Sequence, residues 1–292
     1  MPEGDSLHAT AITLRAVLAG RELTGCELNW SGRRGVALAH GEAWRVPGRR
    51  VESVEARGKN LLIRCAPHPE AVGAVEAGGR AALALTIWSH MGMTGSWHTY
   101  RPRERWALPP RDAPIVLRTA ERVVPCFRPH ALELLGPRGV LRHRVLARLG
   151  PDLLAAKPDL DEALARMRAL VEAEPGVELG DAVMRQRVVA GIGNEYKSEL
   201  LFLEGLDPFA PLAALDEAAR RSLLERAAAL MRANLASGAP RRTRFALDDP
   251  HGRGWVYERS GRPCRVCGEL VCMRRQGALA RSTYFCPNCQ GR

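Results

Sequence analysis

Two cysteine pairs close to the C-terminus, Cys264-Arg-Val-Cys267 and Cys286-Pro-Asn-Cys289, are separated by eighteen residues. Two C-x-x-C knuckles at this separation supply four thiolates to one tetrahedral zinc. With every position filled by protein the metal keeps no open site for water, so the expected role of a single zinc is structural. A redox C-x-x-C is the competing reading, and a pair of pairs argues against it. The segment Gly261 to Arg292 also carries six Arg against one Glu, a net of +5 that suits phosphate contact.

A second candidate is Ala190-Gly-Ile-Gly-Asn-Glu-Tyr-Lys197. Its glycines permit a tight turn, Asn194 falls at the expected N-cap of the following helix, and exposed amides at such a terminus can bind phosphate. A dinucleotide fingerprint is a poor fit, since no apolar strand precedes the segment and G-x-G-x-x-G is incomplete. Residue types alone do not separate a phosphate site from an ordinary helix turn. A third candidate is the start, Met1-Pro-Glu-Gly-Asp5. Removal of the initiator methionine leaves Pro2 with a free secondary amine. An α-amino group titrates near ~8, against about 10.4 for lysine, so more of it is unprotonated at neutral pH. Attack on an aldehydic carbon gives an iminium that has no N–H proton to lose and draws electrons from the neighbouring carbon. Glu3 beside it is placed to move protons. On its own, Pro2-Glu3 is equally an unremarkable N-terminus.

The bulk properties agree with a polyanionic partner. The chain has 292 residues, 46% of them apolar, enough to bury a core in each of two domains. Its formal net charge of +11 favours nucleic acid, although an arginine-rich genome gives the same balance. Only Lys59, Lys157 and Lys197 are lysines among 43 basic residues. A lysine that survives where arginine is otherwise used can be there for its amine chemistry, which arginine lacks; chance is the better account of Lys157. The other four cysteines, Cys26, Cys65, Cys126 and Cys272, are scattered and read as small buried apolar residues rather than as a disulfide framework. No signal peptide or apolar run of membrane-spanning length is visible, so a soluble intracellular protein is expected.

Positioning these groups requires two kinds of architecture. Leu7, Ala11, Leu14 and Leu18 recur at helical spacing and predict a helix over Asp5 to Ala19, closed by Gly20, which holds the N-terminus near a structured element. From Arg21 to Leu135 short apolar runs, Val51–Val54, Leu61–Cys65, Ala82–Trp88 and Ile115–Leu117, are punctuated by turn residues and predict a sandwich or barrel-like β domain. Pro67–Gly79 and Tyr100–Pro114 read as loops. Helical periodicity follows over Leu160–Leu170, Asp181–Val189, Glu195–Glu204 and Leu215–Leu235, and Ala239–Tyr257 reads as a basic loop. The predicted organisation is α+β, with residues 1–137 as the N-terminal catalytic domain, 138–150 as a linker, 151–260 as the helical domain and 261–292 as the zinc finger.

Pro2-Glu3-Gly4, Arg57-Gly58-Lys59, Ser89-His-Met-Gly-Met-Thr-Gly95, Gly191-Ile-Gly-Asn194 and the four-cysteine finger occur in the order seen in the Fpg/Nei family of DNA glycosylases, and the chain resembles that family over its whole length. The resemblance implies an N-terminal β-sandwich with flanking helices, then a helix-two-turn-helix domain ending in a zinc β-hairpin. It also implies a bifunctional glycosylase and abasic-site lyase of base excision repair, acting on damaged double-stranded DNA as a monomer. By position, Pro2 would be the nucleophile on C1′ of the damaged nucleotide and Glu3 would handle protons at the sugar. Lys59 would protonate departing groups and contact phosphate, and Asn194 and Arg281 would grip phosphates beside the lesion. Met93 would fill the space left by the flipped nucleotide, whereas pattern alone makes it a core methionine on a strand. Cys264, Cys267, Cys286 and Cys289 would hold the zinc. The Pro-Glu-Gly-Asp start and the lack of an Arg-Arg-Phe-Gly segment near Val124-Pro-Cys-Phe-Arg-Pro-His130 resemble the endonuclease VIII branch, which implies oxidised pyrimidines as substrates. Gly92 and Thr94, flanking Met93, depart from that branch, where larger side chains are expected. The implied location is the bacterial cytoplasm, at the nucleoid through DNA binding, with no membrane partner. Arg241–Trp255 is a candidate loop for contact with the flipped base or the backbone.

Overall fold

The computed structural model describes residues 2–29, 36–37, 45–69, 83–236 and 254–291. Two compact units divide between Ala147 and Arg148, with the short segment Glu3–Asp5 belonging to the second unit and Pro2 to the first.

The first unit is a β-sandwich. One sheet has the order β1 (Gly25–Leu28), β7 (Ile115–Arg118), β8 (Val123–Phe127), β6 (Ser96–Trp97). The other runs β2 (Val36–Ala37), β9 (Ala131–Leu135), β5 (Leu85–His90), β4 (Asn60–Cys65), β3 (Val51–Arg57). Pairing is antiparallel apart from β2 with β9. The apolar runs in the sequence become these strands because β-branched and leucine side chains from both sheets close one core. Val51, Val54, Leu61, Ile63, Leu85 and Ile87 from one sheet join Ile115, Leu117 and Val124 from the other, all buried. Each such side chain contributes roughly 1.5–3 kcal/mol by leaving water.

Helix α1 (Gly4–Leu18) seats its predicted stripe, Leu7, Ala11, Leu14 and Leu18, in the same core. Gly20 follows with φ +74°, the left-handed conformation that ends a helix. The expected linker contains a short helix, α2 (Pro137–Arg142), and a 3₁₀ turn at Leu146–Arg148. Of the predicted loops, Tyr100–Pro114 is irregular except for a 3₁₀ turn at Pro110–Asp112, while most of Pro67–Gly79 lies outside the described residues.

The second unit is helical, with α3 (Leu160–Ala173), α4 (Leu179–Ala182), α5 (Asn194–Leu203) and α6 (Glu217–Ala236), followed by the hairpin β10 (Cys272–Gln276) and β11 (Arg281–Phe285). The Asp159 carboxylate caps α3 by accepting from the Glu162 amide at 2.9 Å. One expected helix, Asp181–Val189, is not formed. Helix stops at Ala182 and the chain turns twice before α5. Side chains outbid the helical ladder here. Arg185 forks onto Glu174 and Asp181, and Gln186 bonds the carbonyls of Met184 and Ile192 while accepting from the Gly191 amide. Periodicity does not register such local satisfaction of backbone groups. Among the scattered cysteines, Cys65 and Cys126 are buried and Cys26 half-buried, but Cys272 is exposed at the start of β10, whose first four residues are all exposed. No helix among the described residues is long and apolar enough to cross a membrane.

Candidate active site

The N-terminal residues Glu3, Gly4 and Asp5 are fastened to the turn that precedes α5, to α5 itself and to α6. The Glu3 carboxylate is fully buried. It accepts from the amides of Gly193 and Glu195, both at 2.9 Å, and of Tyr196 at 3.4 Å. The Gly4 amide donates to the Gly191 carbonyl at 2.9 Å. Asp5, 3% exposed, accepts from the Tyr196 hydroxyl at 3.0 Å and from the Asn234 amide nitrogen. Two glycines make the approach possible. A Cβ on Gly4 would sit 2.8 Å from the Gly191 Cα, and one on Gly193 would sit 2.3 Å from the Glu3 carboxyl carbon. The glycines in Pro-Glu-Gly and Gly-Ile-Gly are two halves of one contact.

This geometry corrects the expectation for Asn194. The N-cap of α5 is Gly193, with extended backbone, and Asn194 is the first helical residue and is buried. The cap comes from Glu3, some 190 positions earlier in the chain. Its carboxylate takes the amides of the second and third helical residues, the bonds a capping side chain would make, and it meets the positive end of the helix. Those amides are therefore committed to a carboxylate rather than open to phosphate. The Asn194 Oδ1 is buried and has no hydrogen-bond partner among the described residues.

The first two turns of α5 also hold the finger. Lys197 is 1% exposed; its Nζ donates to the Thr283 hydroxyl at 2.6 Å and the Ser282 carbonyl at 3.2 Å on β11. Burial pushes this ammonium down to about 8; Asp181 and Glu3 pull it back up, and Arg281 lowers it further. Thr283 passes a hydrogen bond to Gln276, whose amide reaches the Pro208 carbonyl. Ser198 accepts from the Tyr284 amide at 3.3 Å. Glu199, fully buried, accepts from the amides of Trp255, Val256 and Tyr257 at 2.7–2.9 Å. Burial raises its pKa and these three amides lower it. Of these residues, Lys197 drew notice in the sequence as a rare lysine; Ser198 and Glu199 gave no signal, being ordinary helix residues in type and spacing.

In the first unit, Lys59 occupies the turn of the β3–β4 hairpin and is partly exposed. His90, at the end of β5, approaches the Lys59 carbonyl with Nδ1 at 2.8 Å. A carbonyl only accepts, so Nδ1 carries the proton and the neutral ring presents Nε2 as an acceptor. Burial lowers the His90 pKa, the bond to the Lys59 carbonyl raises it, and His130 and Lys59 lower it. Met93 is 71% exposed in the turn after β5, so it is not a core methionine. Pro2 is half-buried and Met1 lies outside the described residues, as does nearly all of Arg241–Trp255.

The four expected metal ligands converge. All four Sγ atoms of Cys264, Cys267, Cys286 and Cys289 lie within 4.8 Å of one another, with Cys264–Cys289 at 3.8 Å and Cys267–Cys286 at 3.5 Å. A zinc with bonds of about 2.3 Å spaces its sulfurs about 3.8 Å apart, so the residues fit the ion. Arg281, exposed, opens β11 opposite Gln276. The structure thus brings Glu3 to the start of α5, Lys59 to His90, and the cysteines to one another. Pro2, Lys59 and Met93 belong to the first unit, and Glu3, Asn194, Arg281 and the cysteines to the second.

The chain matches two family models, described as the formamidopyrimidine-DNA glycosylase N-terminal domain over residues 1–134 and the formamidopyrimidine-DNA glycosylase H2TH domain over residues 149–245. It is 38% identical to a probable endonuclease 8 2 of Streptomyces coelicolor, covering 99% of this chain and 94% of that protein. It is 36% identical to the DNA-(apurinic or apyrimidinic site) lyase Nei2 of Mycolicibacterium smegmatis, covering 99% of each. Among solved structures it resembles the Lactococcus lactis Fpg protein in complex with N7-benzyl-Fapy-dG containing DNA, with a TM-score of 0.77 at 18% identity and full coverage of both chains.

Proposed function

Because this chain belongs to the Fpg/Nei family of DNA glycosylases, on its endonuclease VIII-like side, we propose that the Pro2 amine carries out its covalent chemistry. The protein is a bifunctional DNA glycosylase and abasic-site lyase of base excision repair. The observation that carries the assignment to Pro2 is the burial of the next residue: Glu3 is seated by three backbone amides, so the nitrogen one peptide bond away is anchored rather than trailing.

The proposed steps use that nitrogen throughout. A damaged nucleotide leaves the stack, because its C1′ is out of reach inside a duplex. The Pro2 nitrogen forms a bond to C1′ as the C1′–N bond to the base breaks and the base leaves with a proton. Protonation of O4′ then breaks the C1′–O4′ bond, opens the sugar ring and leaves an iminium, which accepts electrons when a proton is taken from C2′, and the C3′–O bond breaks to release the 3′ phosphate. A second proton loss, at C4′, breaks the C5′–O bond and leaves a one-nucleotide gap. Water then hydrolyses the iminium and frees the amine. Glu3 and Lys59 are the residues assigned to proton movement, and Asn194 and Arg281 are assigned to phosphates. Met93, exposed on its turn, supplies the apolar wedge. Cys264, Cys267, Cys286 and Cys289 hold zinc, which fixes the finger's fold and takes no part in the chemistry.

The substrate is damaged double-stranded DNA bound by one copy of the chain in the bacterial cytoplasm, and oxidised pyrimidines are preferred. The Pro-Glu-Gly-Asp start and the endonuclease 8 relatives support that preference. Single-turnover excision from duplexes carrying thymine glycol, 8-oxoguanine or a preformed abasic site tests it. Faster release of thymine glycol than of 8-oxoguanine is expected; the reverse order overturns the preference. Cleavage of the abasic duplex alone reduces the function to a lyase.

A further inference from the structure

We propose that Asp5, Tyr196 and Asn234 act together as positioning residues for the Pro2 amine, an inference that rests on Pro2 being the nucleophile. The three meet from three different helices, α1, α5 and α6. The Tyr196 hydroxyl donates to the Asp5 carboxylate at 3.0 Å, the Asn234 side-chain amide donates to the same carboxylate oxygen, and that amide also lies 3.1 Å from the Tyr196 hydroxyl. All three side chains are buried.

Taking a carboxylate out of water costs more than burying an apolar side chain unless hydrogen bonds or charges compensate it. What the polar arrangement adds is direction. Apolar packing tolerates sliding and rotation, whereas a carboxylate bonded by donors from two helices fixes Asp5, and with it the Glu3–Asp5 segment, in position and in rotation within the second unit. Pro2 lies three residues before Asp5. Glu3, Gly4 and Asp5 are each bonded to the segment Gly191–Tyr196. Tyr196 takes part twice, through its amide to Glu3 and through its hydroxyl to Asp5. The Glu3 cradle holds the chain next to the amine, and the Asp5 cluster prevents that chain from pivoting about it. A displacement of about 1 Å at a reacting atom costs on the order of a hundredfold in rate, so such a restraint acts directly on catalysis.

The test is single-turnover borohydride trapping on a duplex with one abasic site, set beside the Kd for a duplex bearing the aldehyde-free tetrahydrofuran analogue. Tyr196→Phe removes one hydroxyl, Asp5→Leu keeps the branched outline without polarity, and Asp5→Asn keeps an acceptor oxygen. Trapping is expected to slow about tenfold or more in the Phe and Leu variants, with Kd within about threefold of wild type, and to recover most of its rate in the Asn variant. Wild-type trapping rates in Tyr196→Phe or in folded Asp5→Leu overturn the proposal, as does a loss of rate matched by an equal loss of DNA affinity. If Asp5→Leu does not fold, Tyr196→Phe decides alone. No adduct from the wild type defeats the Pro2 assignment itself, and the inference falls with it.

Discussion

At the scale of single residues, the buried carboxylate of Glu3 governs the arrangement. Glu3→Gln keeps the shape but replaces one acceptor oxygen by a donor facing backbone N–H groups. A buried amide left without its acceptor costs about 1–3 kcal/mol. We therefore expect a lowered urea midpoint together with slower imine formation; unchanged values of both contradict the cradle. Lys197 gives a pH-dependent prediction. Its folded pKa, about 8, lies below that of an unfolded lysine, so the unfolded chain binds more protons between about pH 8 and 10.4. Stability owed to this group rises through that window and is not gained below it. The stability difference between wild type and Lys197→Met, followed by denaturant unfolding from pH 7 to 10, should shift in favour of wild type above pH 8. A flat difference means the ammonium is not desolvated.

At the scale of elements, α5 is the common mount. Its N-terminus receives Glu3, its first turns hold β11 through Lys197 and Ser198, and Glu199 holds the chain entering the finger. The cysteine cluster then sets the finger's own fold, since metal binding energy is folding energy for so small a segment. Chelating the zinc proposed for these cysteines should abolish DNA binding while circular dichroism of the β-sandwich persists; retained affinity after chelation removes the finger from the interface. Arg281→Ala should weaken binding across all sequences and lower the slope of log affinity against log salt by about one contact. An unchanged slope places Arg281 away from the backbone.

At the scale of the whole molecule, the sequence was most legible where physics repeats. The α1 stripe, the apolar strands of the sandwich and the paired knuckles were readable because periodicity and ligand spacing are local patterns. What escaped was bonded across long separations. The Glu3 cap on α5 joins residues some 190 apart, and no spacing rule announces that an asparagine at a predicted cap has been displaced by a carboxylate from the chain's start. Asp5, Tyr196 and Asn234 escaped for the same reason. The missed turn after Ala182 is a local failure of a different kind, in which Arg185 and Gln186 satisfy backbone and charge at the helix's expense. The β-sandwich, the helix-two-turn-helix unit and the four-cysteine hairpin agree with the family that the chain belongs to.

The atom that becomes attached to DNA decides the chemistry. Borohydride reduction of the enzyme with an abasic duplex, followed by proteolysis and mass spectrometry of the adduct, identifies it. The predicted result is a single modified peptide that begins at Pro2 and carries the sugar remnant on its N-terminal nitrogen, and that is absent when the amine is acetylated beforehand. An adduct on Lys59 or Lys197, or undiminished trapping after acetylation, contradicts it.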